Sequence, residues 1–331
     1  NTKSIETVHN TVKTVQDKEG NKLGFWAATV NKEALEIILI RTIQKQFSNT
    51  LFNQLLFDAV KKALESNKYL VRIYDPGLKN PDKEILESFG FVPSEGIWSK
   101  VTLPFKGNSY YLIENSPVVS EVFSEDSLRT KITQQEENPN PVKYEIERFF
   151  WPVKFTDLDI PVYIVPIRPY WASQLFDYYA AESSLFGADP YLVWNRENIY
   201  YRSPNPISEQ SPSRILWYVS SPNNKQNTNR TKGIVACSYL DDVQTGEAKH
   251  IFKKFKHYGI YEWKNVLKQA GGDPHKEVKV LKFSDTEVFS SVIPFQSIQN
   301  ILQKNGFRAN KFQAPLQVNK KVFFDLYQYK G

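Results

Sequence analysis

One cysteine, Cys237, stands in a chain of 331 residues, so no intrachain disulfide framework can form. Histidine is nearly as scarce. His9, His250, His257 and His275 are the four present, and none lies four residues from another, which leaves no recognisable zinc set. Methionine is absent altogether. No apolar run reaches the roughly 18 residues of a membrane helix, so no span is expected. The opening NTKSIETVHN is polar, unlike a secretory leader, and a reducing, cytoplasmic setting is the expectation. Neither a G-x-S-x-G elbow nor a P-loop occurs, which excludes the hydrolases and nucleotidases built on them. Glycine is missing over the whole stretch between Gly24 and Gly77.

Aromatic residues, by contrast, make up 14% of the chain, and the net charge is +6. A surplus of positive charge favours an anionic partner, although 36 acidic residues dilute it. The length suits two domains.

In the first half, Gly24–Val30 and Ala34–Ile40 read as strands joined by a short turn at Asn31-Lys32-Glu33. Ser48–Glu65 carries Leu51, Leu55, Leu56, Ala59, Val60, Ala63 and Leu64 at helical spacing, with Ser48 or Asn49 as its cap. Tyr69–Tyr74 reads as a buried strand, Asp82–Phe89 as a helix stopped by Gly90, and Phe91–Thr102 as a hairpin. A strand, a crossover helix and a strand make a parallel unit. The polar, proline-containing stretch 134–149 is the expected linker, separating a first domain at 1–133 from a second at 150–331.

The second half changes character. Val162–Ile167, Ile215–Val219, Ile234–Tyr239, Val278–Phe283 and Val322–Tyr327 read as short strands. Helices are expected at Trp171–Tyr179, Gly246–Phe255 and Ile260–Gln269. Many short strands with few helices suggest a β-barrel, giving an α+β protein as a whole.

Two constellations carry candidate chemistry. In the first, the strand ending at Arg41 leads through Gln44 to a helix starting at Ser48, Asn49 and Thr50. A helix N-terminus of this kind either holds an anion or is simply capped. Arg41 is placed to pair with a phosphate or with Asp75. In the second, guanidinium groups alternate with flat rings: Arg168, Tyr170 and Trp171; then Arg196, Tyr200 and Arg202; then Arg214 ahead of Trp217. Lys253, Lys254, Lys256 and His257 add charge on one helix edge. Arginine grips phosphate and rings stack on unpaired bases, so this mixture suits single-stranded or flipped nucleic acid, RNA foremost. A packed aromatic core is the other reading. Asp285 and Glu287 form an acid/base pair, hydrogen-bond a base edge or belong to a capped turn, and Cys237 is expected to be a buried small residue.

The order of elements over residues 20–103, with Gly90-Phe91 closing it, resembles the central part of the GNAT acetyltransferase fold. That family's Q/R-x-x-G-x-G/A loop holds acetyl-CoA. Counting from Gln44, the glycine positions here carry Phe47 and Asn49, and the family's first strand and two helices have no clear counterpart. The resemblance implies a partial, degenerate GNAT-like domain. An acyl-CoA-dependent N-acetyltransferase using Arg41, Gln44, Ser48, Asn49 and Thr50 is the alternative to an inactive scaffold. Residues 164–177, 200–202, 215–221, 233–243 and 281–289 resemble the ASCH domain, a PUA-like barrel, in a bacterial multidomain arrangement that in some cases carries a further upstream domain. That resemblance implies RNA or modified-base binding without a cofactor or metal. Some ASCH proteins hydrolyse acetylated cytidine with a Lys, a Thr and a Glu. Aligned on Arg202, those positions here hold Glu197, Asn198 and Tyr200, so the resemblance does not extend to that reaction.

Overall fold

Trp26, Ala28, Leu35, Ile37 and Ile40 are buried along two neighbouring strands, and the amphipathic helix that follows packs on them. From this seed the N-terminal part grows. The computed structural model describes residues 9–16, 20–43, 48–123, 141–176, 196–205, 209–220, 232–258 and 261–329. It divides into two units, Asn1–Leu158 and Asp159–Gly331.

In the first unit, β1 (His9–Gln16), β2 (Lys22–Val30) and β3 (Ala34–Thr42) form an antiparallel meander. Helix α1 (Ser48–Glu65) crosses over to β4 (Leu70–Ile73), which pairs parallel with β3. Helix α2 (Asn80–Ser88), β5 (Val92–Ser94) and β6 (Ile97–Val101) complete a six-stranded sheet in the order β1-β2-β3-β4-β6-β5. Strand β1 is not expected from the sequence. Its HNTVKTVQ places an apolar residue only at every third position and none at its ends, and among the described residues it is an edge strand paired with β2 alone. After α2 the chain turns through Gly90 at φ 87°, where a Cβ would collide with the Phe149 carbonyl.

Beyond the sheet come β7 (Lys106–Gly107), α3 (Ser109–Asn115), α4 (Pro117–Val122), α5 (Pro141–Phe149) and β8 (Lys154–Phe155). Half of the expected linker is therefore helix α5. It brings Phe149 and Phe150 into a ring cluster with Phe123 and Phe155, and the Phe149 carbonyl accepts from buried Lys100 at 2.7 Å.

The second unit is built on β9 (Val162–Ile167), α6 (Pro169–Phe176), β10 (Glu197–Arg202), β11 (Ser213–Val219) and β12 (Gly233–Glu247). Then follow α7 (Ala248–Phe255), a 3-10 turn at Lys256–Tyr258, α8 (Trp263–Gln269) and β13 (Glu277–Pro294). It ends with α9 (Phe295–Lys304), β14 (Leu316–Val318) and α10 (Lys320–Tyr327). The six strands run in the order β10-β13-β12-β11-β9-β14, with β9 and β11 parallel. Among the described residues the edge strands β10 and β14 do not pair with each other, so the expected barrel is an open sheet here.

Each face of this sheet has its own apolar layer. One holds Tyr163, Trp217 and Phe283 under α6, α7 and α8, and the other holds Leu216, Tyr218 and Cys237 under α9 and α10. The segment Val322–Tyr327, expected as a strand, is helical. Val322, Phe323 and Leu326 follow a period near 3.6, and Asn319 caps the first turn by accepting from Val322 N at 2.9 Å. Residues 284–287, expected as a turn or an acid/base pair, lie within β13. The ladder to β12 shifts register there, and Asp285 takes a left-handed backbone angle (φ 51°).

Candidate nucleic-acid interface

Arg196 and Arg202 lie at opposite ends of β10 and Arg214 lies on β11, and each is taken up by a partner of its own. Arg196, just before the strand, forks onto Asp285, with Nε to Oδ1 at 2.6 Å and a second nitrogen to Oδ2 at 3.2 Å. Both partners are buried, and the Asp285 amide donates back to the Arg196 carbonyl at 3.2 Å. Arg202, at the other end, donates to Glu209 at 2.5 Å, while the same carboxylate takes Lys279 Nζ at 2.7 Å. Burial opposes the charge on Glu209, but the Lys279 hydrogen bond and the Arg202 charge outweigh it and hold the carboxyl below its usual range. Arg214 is wholly buried on the opposite layer, with its guanidinium 4.6 Å from the Phe323 ring centre and 5.3 Å from that of Phe324.

Tyr200 and Trp171 are buried as well, within the layer under α6. Burial raises the Tyr200 phenol pKa, and the charges of Arg202 and Arg168 oppose that rise. Arg168 and Tyr170 do face solvent. The seven expected residues thus do not form one mouth. Arg196, Arg202 and Arg214 fasten the interior, Trp171 and Tyr200 fill it, and Arg168 with Tyr170 remains outside. The aligned position Glu197 meets a lysine from β13: Lys282 Nζ lies 3.0 Å from its carboxylate, and the Tyr258 hydroxyl donates to the same oxygen at 3.3 Å. Burial works against the Lys282 ammonium, yet Glu197 and Tyr258 hold its pKa above the usual lysine value.

In the N-terminal unit, β3 and β4 pair only as far as Ile37 and Ile73 and then part. Asp75 bridges the gap. Its carboxylate accepts from the Ile40 amide at 2.8 Å, from the Gly77 amide at 2.8 Å and from the Arg41 guanidinium. Burial disfavours that carboxylate, but these donors outweigh it and lower its pKa. Arg41 is therefore engaged by Asp75. Ser48, Asn49 and Thr50 form the first turn of α1, with the Asn49 carbonyl taken by Asn53 at 3.0 Å. Gln44 lies outside the described residues.

Among the described residues, exposed cations and rings share a cleft on α7 and α8. Ala248, Ile251 and Phe255 bury one face of α7, which turns Lys249, Lys253 and Lys256 outward along one flank. These three lysines, with Phe252, Trp263, Pro274 and His275, line a cleft of about 530 Å³. Phe252 and Trp263 face each other at 5.4 Å between ring centres, inclined by 48°. Lys253 and Lys256 belong to the charged edge read from the sequence; Lys249, Phe252, Trp263, Pro274 and His275 do not. Charge density along the chain is the signal that points to them, because residues 247–276 contain seven lysines against three acidic residues.

No family model matches the chain, and no curated protein matches it. Solved structures it is similar to include the ASCH protein from Zymomonas mobilis, at 13% identity and a TM-score of 0.34, covering 50% of this chain and 93% of that one. An acetyltransferase from Bacillus cereus matches at 15% identity and a TM-score of 0.25, over 29% of this chain and 75% of its own. The N-terminal domain of McrB from Staphylothermus marinus matches at 7% identity and a TM-score of 0.33, over 51% and 94%. No helix among the described residues is long and apolar enough to cross a membrane.

Proposed function

We propose that the C-terminal unit binds nucleic acid, RNA foremost, in the cleft between α7 and α8, and that the N-terminal unit serves as a scaffold or partner surface. One observation carries this reading: three exposed lysines share a concavity with two apposed aromatic rings. Along the helix and the turn that follows, Lys249, Lys253 and Lys256 rise by about 6 Å and then about 5 Å, a spacing that suits a line of backbone phosphates. The rings offer faces to a base that is not buried in a duplex. The interior arginines support the same unit by rigidifying its strands instead of touching the ligand.

The test is fluorescence anisotropy of the full chain with a labelled oligouridylate at several salt concentrations. Replacing Lys249, Lys253 and Lys256 together by glutamine should weaken binding at least about tenfold and lower the salt slope by about 2, at roughly 0.7 for each phosphate that is no longer neutralised. Unchanged affinity and slope would overturn the proposal. The alternative, an N-acetyltransferase holding acetyl-CoA at the start of α1, finds its support in the first turn, where Asn49 and Thr50 are exposed and Ser48 is half-buried. Against it, Asp75 already occupies Arg41 and the Ile40 amide. Isothermal titration with acetyl-CoA separates the two: no heat is expected, and micromolar binding would favour the enzyme.

A further inference from the structure

Trp263, at the start of α8, turns its ring into the cleft against Phe252. The next residue, Lys264, is about 100° further round the helix and so leaves on another flank. Its ammonium is exposed, held by Glu262 at 2.5 Å, and close enough to Tyr170 to feel its phenol. Tyr170 is 61% exposed. It is fixed to the start of α8 by a run of rings. Tyr170 meets Trp171 edge-on at 4.8 Å, and Trp171 lies 4.1 Å from Tyr261, two residues before Trp263. Among the described residues, the edge-on contact with Trp171 leaves one face of the exposed Tyr170 ring uncovered, and the exposed Arg168 flanks it two residues away on the chain. This second flank of α8 therefore repeats the cleft's composition on a smaller scale, as one ring between two cations.

We infer that a single-stranded nucleic acid follows a path from the α7–α8 cleft over α8 to a second stacking station at Tyr170, with Arg168 and Lys264 taking the phosphates on either side. This rests on the nucleic-acid reading of the cleft and adds to it a direction, a footprint and a preference for unpaired strands. A strand long enough to reach both rings stacks at two places, whereas a short one occupies the cleft alone. Glu262 limits Lys264 to a shared cation, which leaves Arg168 the stronger phosphate partner at the distal station.

The experiment compares oligouridylates of about three and about eight nucleotides, lengths chosen to fill one or both stations, on full-length wild type, Trp263→Ala and Tyr170→Ala. Both variants are checked by thermal melting for an intact fold. Trp263→Ala should weaken both oligonucleotides. Tyr170→Ala should weaken the longer one about tenfold, the value of one stacked base, and leave the shorter one unchanged. Arg168→Gln should reproduce the length-selective loss. If Tyr170→Ala leaves the longer oligonucleotide unaffected, or weakens both equally, the path is overturned while the cleft stands. If wild type binds neither oligonucleotide, the nucleic-acid reading itself fails.

Discussion

Within the C-terminal unit, the interior arginines and the lysines on α7 show two uses of positive charge. Arg196, Arg202 and Arg214 turn inward and meet a carboxylate fork, a shared carboxylate and a pair of rings. Lys249, Lys253 and Lys256 stay in water around an open concavity. The planar, weakly hydrated guanidinium tolerates burial when a fork or a ring face receives it, whereas the compact ammonium is costly to dehydrate. Buried lysines are instructive exceptions: in this unit Lys279 shares Glu209 with Arg202, and in the other Lys100 donates to the Phe149 carbonyl. Arginine among rings is thus an ambiguous sign of ligand binding in a sequence, because the same pair of residue types also builds interiors.

The largest effect expected from breaking this contrast lies on the inner side. Asp285→Ala leaves the buried Arg196 guanidinium without its fork and should cost about 3–5 kcal/mol, read by urea unfolding. Replacing both partners with apolar residues should recover much of that loss; no recovery would mean that the pair also orders the bent part of β13. Next comes Glu209→Gln, which should cost about 2–3 kcal/mol at neutral pH by weakening its charged hydrogen bonds. The folded carboxyl titrates below its ordinary value of 4.5, so its contribution is complete above that value and disappears as pH falls through the folded one. The variant should therefore show a flatter acid limb in a pH series of melting temperatures. On the outer side, Lys249→Gln with Lys253→Gln should leave stability within about 0.5 kcal/mol while weakening RNA binding. The smallest effect on binding belongs to Arg214→Lys, which keeps the charge but loses the flat face against Phe323: stability should fall by about 1 kcal/mol with no change in RNA affinity. A loss of affinity equal to that of the α7 lysines would return Arg214 to the binding surface.

What is legible in the sequence follows from local physics. The apolar face of Ser48–Glu65 matches the helix at both ends, and Ala34 opens β3 where the short apolar, β-branched run begins. Gly90 ends α2 because its backbone angle suits glycine. The misses share another cause. β1 exists through pairing to β2 and has little apolar patterning of its own. Val322–Tyr327 has a strand-like composition, but α9 and the sheet face give its apolar stripe a surface that only a helix matches. In the site, residue types are readable and their directions are not. The sequence shows that Arg214 precedes a strand rich in rings; only the pairing of β11 with β9 and β12 decides that its side chain goes under α10. Trp263 belongs to a segment that reads as an ordinary helix, and its place in the cleft arises from the approach of α7, which sets Phe252 against it.

Strands β12 and β13, of 15 and 18 residues, contribute side chains to both apolar layers: Ala236, Leu240 and Val280 to one, Ile234, Cys237 and Ile293 to the other. A single pair of ribbons is thus common to both halves of the interior. Loosening α9 and α10 exposes the same two ribbons that α7 rests on, so the helix bearing the lysines has no foundation independent of the far side. In hydrogen exchange, amides of β12 and β13 should lose protection together, at the free energy of opening the whole unit.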